Sequence, residues 1–569
     1  MKIIGLNHGE INSSAAFYKN GLITHASPEE RFSRQKKTKQ FPHQSIDFLL
    51  KKNNCAINDI DFFSQSWNPG ANWCKYNPLY SSHRSDRAEY FYSIPDNLHK
   101  ISGSSPKEWV KMSFPEGNGV PDIYFVQHHL CHAANAFFLS PFDNAAILTC
   151  DWRGEFECCN FGIGQGTSIE IFKKQFIPHS LGMFYATFTE LLGYRSDSDE
   201  WRVMALSAYD VDDRDFTKKI RSTVKLLDNG SFELDQSYYK GALLDQPKLY
   251  TNNLVELLGG REGKGLTETD EWSLKVASSM QNIAEEIALN MLNFLHRKTG
   301  LDSVCLAGGF FMNSVFNGKI AQKTKFKNVY VSFDPTDCGN SIGSAYYTAH
   351  CILGQDRAPN TTLSYLGPEF SDQEIEAVLK RRGLAYEKKN DISMAVAELL
   401  HRDEIVANFM GRMEYGERAL GNRSILANPS NPNVKDRINS MIKYRESYRP
   451  FAPVCHQEKS HLYFDVDSDY ECLFMEKVIP VRKKYRKSLA AITHVDGSGR
   501  LQTIKREQNK LFYDLISKFE KLSNLPIVLN TSFNINGEPI ACSPDDALNT
   551  FYNSGLKYLR MGNFLLKKF

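Results

Sequence analysis

A chain of 569 residues exceeds the size at which one hydrophobic core stops growing, so at least two domains are expected. Its 68 lysines and arginines nearly balance 66 aspartates and glutamates, a net charge of +2, which argues against a surface given over to nucleic acid and leaves no polybasic or acidic tail. No apolar run reaches membrane-spanning length, Met1–Leu6 reads as a strand and not a signal core, and the scattered cysteines form no C-x-x-C pair, which together predict reduced core thiols in a cytoplasmic protein.

In chain order, Lys2–Leu6, Ala15–Lys19 and Leu22–Ala26 read as strands, the last two joined by the tight turn Asn20-Gly21. The charged run from Glu29 to Lys37 reads by itself as a solvated loop, and a helix follows Pro42 to about Lys52. Residues 68–119 show no clean period and read as an inserted binding loop. The β-branched and aromatic stretch Asp122–Val126 is a buried strand that feeds Gln127-His128-His129-Leu130-Cys131-His132 into a helix. His128 and His132 are four apart, so one helix face offers both to a single metal ion, while His129 points about 100° away. Ala145–Cys150 is a second buried strand, and Asp151 at its C-terminal edge is a third ligand of that ion.

Gly182–Leu192 is helical, Asp197–Leu206 is a polar loop running into a helix, and 210–265 is irregular. A long amphipathic helix occupies Trp272–Thr299. The strand Ser303–Leu306 turns at Gly308 and Gly309, where backbone amides can approach a phosphate, and continues through Asn313 to Lys319. Strand Asn328–Ser332 delivers Asp337 to a further glycine turn, so both halves of 1–354 place an acid and glycines at strand ends, the pattern of a duplicated α/β core. A linker near 355–368 and a capping box of Ser371 with Glu374 open a second domain, 367–569. There Arg418 and Arg423, Lys443 and Arg449, Arg500, and Asn530 with Ser532 lie in four turn-rich clusters suited to a phosphorylated ligand.

Glu29-Glu30-Arg31-Phe32, Val126–Ala133, Ala307–Gly309 with Asn313 and Asn317–Lys319, Asp337-Cys338-Gly339, Gly416–Ser424, Arg449–Pro453 and Asn530–Asn534, in that order, resemble the NodU/CmcH-type O-carbamoyltransferases. The resemblance implies an actin-like, duplicated ribonuclease-H-type domain followed by a smaller YrdC-like α/β domain. It implies that the second joins carbamoyl phosphate to ATP, with Mg2+, as carbamoyl adenylate. The first then passes the carbamoyl group to a small-molecule hydroxyl and releases AMP. Carried over by motif, His128, His132, Asp151 and Asp337 would hold a divalent metal, with iron expected. Gly308, Gly309, Asn313, Lys319, Arg418, Arg423, Lys443, Arg449, Arg500, Asn530 and Ser532 would contact nucleotide and carbamoyl phosphate.

The chain departs from the family pattern at Ile11-Asn12-Ser13-Ser14, where relatives carry a histidine that is a candidate base. His8 and Asn12 are the substitutes here, with Asp151 as a third catalytic group. A second departure is Ala205 in Trp201–Leu206, which points to an altered acceptor pocket. Competing readings are a threonylcarbamoyl-type RNA-modifying enzyme, a kinase on the same actin-like core, and a non-catalytic nucleotide binder; fold alone does not choose among them.

Overall fold

The computed structural model describes residues 1–9, 12–68, 108–114, 119–209, 211, 213–240, 248–265, 270–358, 363–445 and 451–568. Two units emerge: residues 1–26 with 39–362, and residues 27–38 with 363–569. The division at 362/363 falls inside the expected linker. The segment Ser27–Thr38 groups with the C-terminal unit.

The first unit contains two sheets of matching plan. In one, β1 (Lys2–Asn7), β2 (Ser14–Lys19), β3 (Leu22–Pro28), β4 (Phe62–Gln65), β5 (Trp109–Met112) and β6 (Asp122–Val126) lie in the order β3-β2-β1-β4-β6-β5. In the other, β7 (Asn144–Cys150), β8 (Glu157–Gln165), β9 (Ser168–Phe176), β12 (Ser303–Ala307) and β13 (Asn328–Val331) lie in the order β13-β12-β7-β8-β9, while β10 (Val224–Leu226) pairs with β11 (Phe232–Leu234) as a separate ribbon. In each sheet the first strand pairs antiparallel with the second and parallel with the fourth in spatial order, β1 with β2 and β4, β7 with β8 and β12. The duplication read from the sequence is present as this repeated topology.

Apolar runs such as Ala145–Leu148 are fully buried, as strands covered on both faces must be. The helices His128–Leu139 and Asn340–Tyr346 are also buried throughout and pack on one another. A Cβ on Gly343 would run into the Cys131 carbonyl oxygen, so this close crossing requires a glycine. Both segments read as irregular contain regular structure. Trp109–Met112 is an edge strand antiparallel to β6, and 210–265 holds the helices Arg214–Ser222 and Asn252–Leu257 besides the β10–β11 ribbon. Arg214–Ser222 fully buries only Ile220, with Phe216 half-buried four residues before it, so its apolar face is two side chains long and easily passed over. The remainder of 68–119 lies largely outside the described residues.

The second unit is built on a nine-stranded mixed sheet. Its strands are β14 (Glu387–Lys388), β15 (Val406–Phe409), β16 (Arg423–Ala427), β17 (Ala452–His456), β18 (Lys477–Pro480), β19 (Ser498–Ile504), β20 (Ile527–Ser532), β21 (Tyr558–Met561) and β22 (Phe564–Lys567). They run in the order β14-β22-β21-β15-β16-β20-β17-β19-β18 around a core that includes Phe409, Ile425, Leu529, Phe551 and Leu559. Ser371 and Glu374 form the expected capping box. The charged run is not a solvated loop. Arg31 is buried and donates to the Gly416 carbonyl at 2.6 Å, Arg34 donates to the carbonyls of Ile540 and Pro539 at 2.8 Å each, and Phe32 packs on Met413, Ala419, Ile540 and Cys542. Among the described residues no helix is long and apolar enough to cross a membrane, and the described cysteines are free thiols, most of them buried.

Candidate functional site

Strand β6 ends where the His128–Leu139 helix begins, and one turn of that helix separates His128 from His132. Strand β7 ends at Cys150 and presents Asp151, and the short turn Asp337–Gly339 after β13 presents Asp337. One ligand atom from each of these four residues lies within 4.8 Å of the others. The two Nε2 atoms of His128 and His132 are 3.0 Å apart; Asp151 Oδ2 is 3.3 Å from the first and 3.0 Å from the second, and Asp337 Oδ1 is 3.4 and 3.5 Å from them. Burial disfavours a charged His128 ring, but Asp337 and Asp151 outweigh it and raise its pKa well above the usual value. Burial likewise works against the Asp151 carboxylate, and the two histidines overcome it and hold its pKa well down. Two imidazoles and two carboxylates converging on one buried point fit a divalent cation, so the three ligands read from the residues and the fourth implied by resemblance come together.

The surroundings fix these groups. Asp151 Oδ1 accepts N–H bonds from Trp152 at 2.8 Å and Gly309 at 3.2 Å. Gly308, at φ +98°, lets the turn approach so closely that a Cβ there would strike the Cys150 carbonyl. The Gly308-Gly309 turn therefore holds the Asp151 carboxylate, a use the phosphate reading did not foresee. His129 stays out of the cluster, with Nδ1 2.7 Å from Thr149 Oγ1.

Sequence reading missed Glu155. Its carboxylate accepts from the backbone N–H of His128 at 3.1 Å and of Asn68 at 2.7 Å, pinning the helix N-terminus that carries His128 and His132. Burial, with Glu157 nearby, pushes its pKa up to about 7. The only sequence signal was an acid four residues beyond Asp151, which has no meaning until the strand pairing is known.

Other expected residues divide. The Asn12 carbonyl accepts from Asn7 Nδ2 at 3.0 Å and from Cys338 Sγ at 3.5 Å, which places the Asn12 turn, at φ +58°, beside the Asp337 turn. His8 lies edge-on to Phe41, and burial lowers its pKa. Asn313 and Lys319 do not join the centre: Asn313 caps its own short helix and exchanges amide hydrogen bonds with Gln281, and Lys319 is paired with Glu285 at 2.7 Å. Both face the long Glu271–Thr299 helix, away from the His/Asp cluster.

In the second unit Lys443 is buried, and its Nζ donates to Ser532 O at 2.5 Å, Ser532 Oγ at 3.2 Å and Asn534 Oδ1 at 2.8 Å. Asn530 Nδ2 donates to the Ala419 carbonyl, and Gln502 Nε2 to that of Leu420, so β19 and β20 hold the loop that carries Arg418. Glu414, also unforeseen, shapes that loop by accepting from the N–H groups of Leu420, Asn422 and Arg423. Arg500 stands on β19 near His494, whose pKa burial lowers to about 4 with Arg500 and Lys435 adding to the effect and Asp496 opposing it. Arg423 points inward from β16. It is wholly buried, stacks 3.8 Å over the Phe409 ring, and spends its guanidinium on the carbonyls of Met410, Gly411, Asn422 and Pro368. Arg449 lies outside the described residues.

With this geometry in place, two family models match the chain. Residues 2–346 match the model of the carbamoyltransferase N-terminus, and residues 397–568 that of the carbamoyltransferase C-terminus. An uncharacterised protein of Synechocystis is 33% identical over 100% of this chain and 96% of its own length. The nodulation protein NolNO of Sinorhizobium fredii is 34% identical over 98% of this chain and 79% of its own. Among solved structures, full-length HypF in its phosphate- and nucleotide-bound form aligns with 63% of this chain and 56% of that one at 14% identity, with a TM-score of 0.30, too low to carry weight. By the two family matches, which between them take in both units, the chain belongs to the carbamoyltransferase family.

Proposed function

We propose that the protein is an ATP-dependent O-carbamoyltransferase acting on a hydroxyl of a small molecule. The observation that carries this reading is that each unit holds its own polar centre, a His/Asp cluster in the first and the Lys443–Ser532–Asn534 cluster in the second. In the second unit, of YrdC-like type on this reading, carbamoyl phosphate, ATP with Mg2+ and water give carbamoyl adenylate, inorganic phosphate and pyrophosphate. The ammonium of Lys443, aided by Arg418, Arg500 and Ser532, offsets the negative charge gathered there. In the first unit, of actin-like type, the acceptor oxygen bonds to the carbamoyl carbon, the bond from that carbon to the AMP oxygen breaks, and AMP leaves.

His128, His132, Asp151 and Asp337 would hold a divalent ion, with iron expected. Such an ion supplies Lewis-acid stabilisation of charge on the departing phosphate. The protein's own part is to fix the ligands: Trp152 and Gly309 orient Asp151, and Glu155 anchors the helix start at His128. His8, kept neutral at pH 7 by its lowered pKa, is available to accept the hydroxyl proton, beside a turn that Asn12 shapes. The near-balanced charge supports a small-molecule acceptor over a nucleic acid.

Nucleotide products test the reading. Purified protein given ATP and carbamoyl phosphate is expected to release AMP and pyrophosphate, each dependent on carbamoyl phosphate. Release of ADP in their place would make it a kinase and sink the proposal.

A further inference from the structure

Beside the four metal-ligand residues lies a fifth polar side chain. Asn340 is fully buried in the first turn of the Asn340–Tyr346 helix, three residues after Asp337. Its Nδ2 is 3.2 Å from His132 Nε2, and 3.4 and 3.5 Å from Nδ1 and Nε2 of His128. These are long for N–H···N bonds and are spread over three ring nitrogens, although a neutral imidazole offers only one acceptor. A ring nitrogen that gives its lone pair to a metal has none left for an amide N–H, so an Nδ2 aimed at the cluster is mismatched with the site's own purpose. Meanwhile Asn340 Oδ1 is buried without a hydrogen-bond partner among the described residues. Oxygen and nitrogen of a primary amide are nearly the same size, and a half-turn of the amide exchanges them without moving the chain. That rotation aims a carbonyl oxygen, a metal ligand in its own right, at the point where the four donors meet.

We propose that Asn340 Oδ1 is a fifth protein ligand to the ion held by His128, His132, Asp151 and Asp337, an inference that rests on the metal reading above. The consequence is selectivity. Four ligands suit the closed tetrahedron that zinc prefers in structural sites, whereas five favour an ion of higher coordination number and leave room for a substrate oxygen. Gly343 takes part, because the close crossing it permits brings Asn340 to the histidine pair.

The test uses the full-length protein, stripped of metal and titrated with Co2+, whose visible bands are weak in five- or six-coordination and intense in a tetrahedron. Wild type is expected to show weak bands. Asn340→Leu, similar in shape but with no donor, is expected to bind Co2+ at least ten-fold more weakly and to show intensified bands, while Asn340→Asp restores the weak ones. Circular dichroism checks the fold; if the leucine variant does not fold, Asn340→Ala, which adds no volume, takes its place. A folded leucine or alanine variant with wild-type affinity and spectrum would overturn the fifth ligand and leave the four-residue site intact. Absence of Co2+ binding by wild type would overturn the metal site itself, and the fifth ligand with it.

Discussion

Arg423 stands on β16 in a motif that the sequence ties to phosphate binding, yet it faces inward. A guanidinium buried among four carbonyls and an aromatic face acts as a structural tie. Arg423→Met should therefore cost about 1–3 kcal/mol of stability by leaving those carbonyls unpaired. Denaturant unfolding would show this, and the KM for carbamoyl phosphate should stay within about three-fold of wild type where the variant folds. A large KM rise without loss of stability would restore Arg423 to the ligand site. His494 gives a pH signature. Its folded pKa of about 4 lies below the unfolded value near 6.5, so between those limits the unfolded chain binds the extra proton. Its contribution is complete above about pH 6.5 and is lost as pH falls toward 4, on the order of 3 kcal/mol in all. The stability difference between wild type and His494→Gln should shrink across that window on acidification; a pH-independent difference would refute the assignment. Residue types were legible in the sequence at both positions. The direction in which each side chain points was not, because it depends on strands and loops distant in the chain.

Among the elements, the strands were legible because apolar, β-branched runs between turn residues have few other readings, and the acids at their C-terminal ends marked the site. Trp109–Met112 and Arg214–Ser222 were not legible, the first being a four-residue edge strand, the second burying a single residue. The crossing of the His128–Leu139 and Asn340–Tyr346 helices is an element-scale feature on which the site depends, since the histidines sit on one helix and Asp337 directly precedes the other. Gly343→Ala would force these helices apart at the Cys131 carbonyl. The expected result is a loss of roughly 1–3 kcal/mol and weaker metal binding, read by thermal unfolding and by metal titration. Unchanged values for both would show that the crossing tolerates a methyl group and does not set the ligand geometry.

At the scale of the whole molecule, the chain order conceals the unit order. Ser27–Thr38 belongs to the C-terminal unit through Arg31, Phe32 and Arg34; the hydrogen bonds of the two arginines span 385 to 506 residues of sequence, which no local pattern reveals. A fragment of residues 363–569 should therefore melt at a lower temperature than the same fragment with residues 27–38 attached through a flexible linker. Equal melting temperatures would place the segment outside the stable unit. The central claim is a division of labour, with adenylate made at the Lys443 cluster and transfer carried out at the His/Asp cluster. Exchange of labelled pyrophosphate into ATP in the presence of carbamoyl phosphate measures the first step alone. Wild type and His132→Ala should both exchange, and Lys443→Ala, verified as folded by circular dichroism, should exchange about 100-fold less or lower still. Loss of exchange in His132→Ala equal to that in Lys443→Ala, or full exchange in Lys443→Ala, would contradict the division.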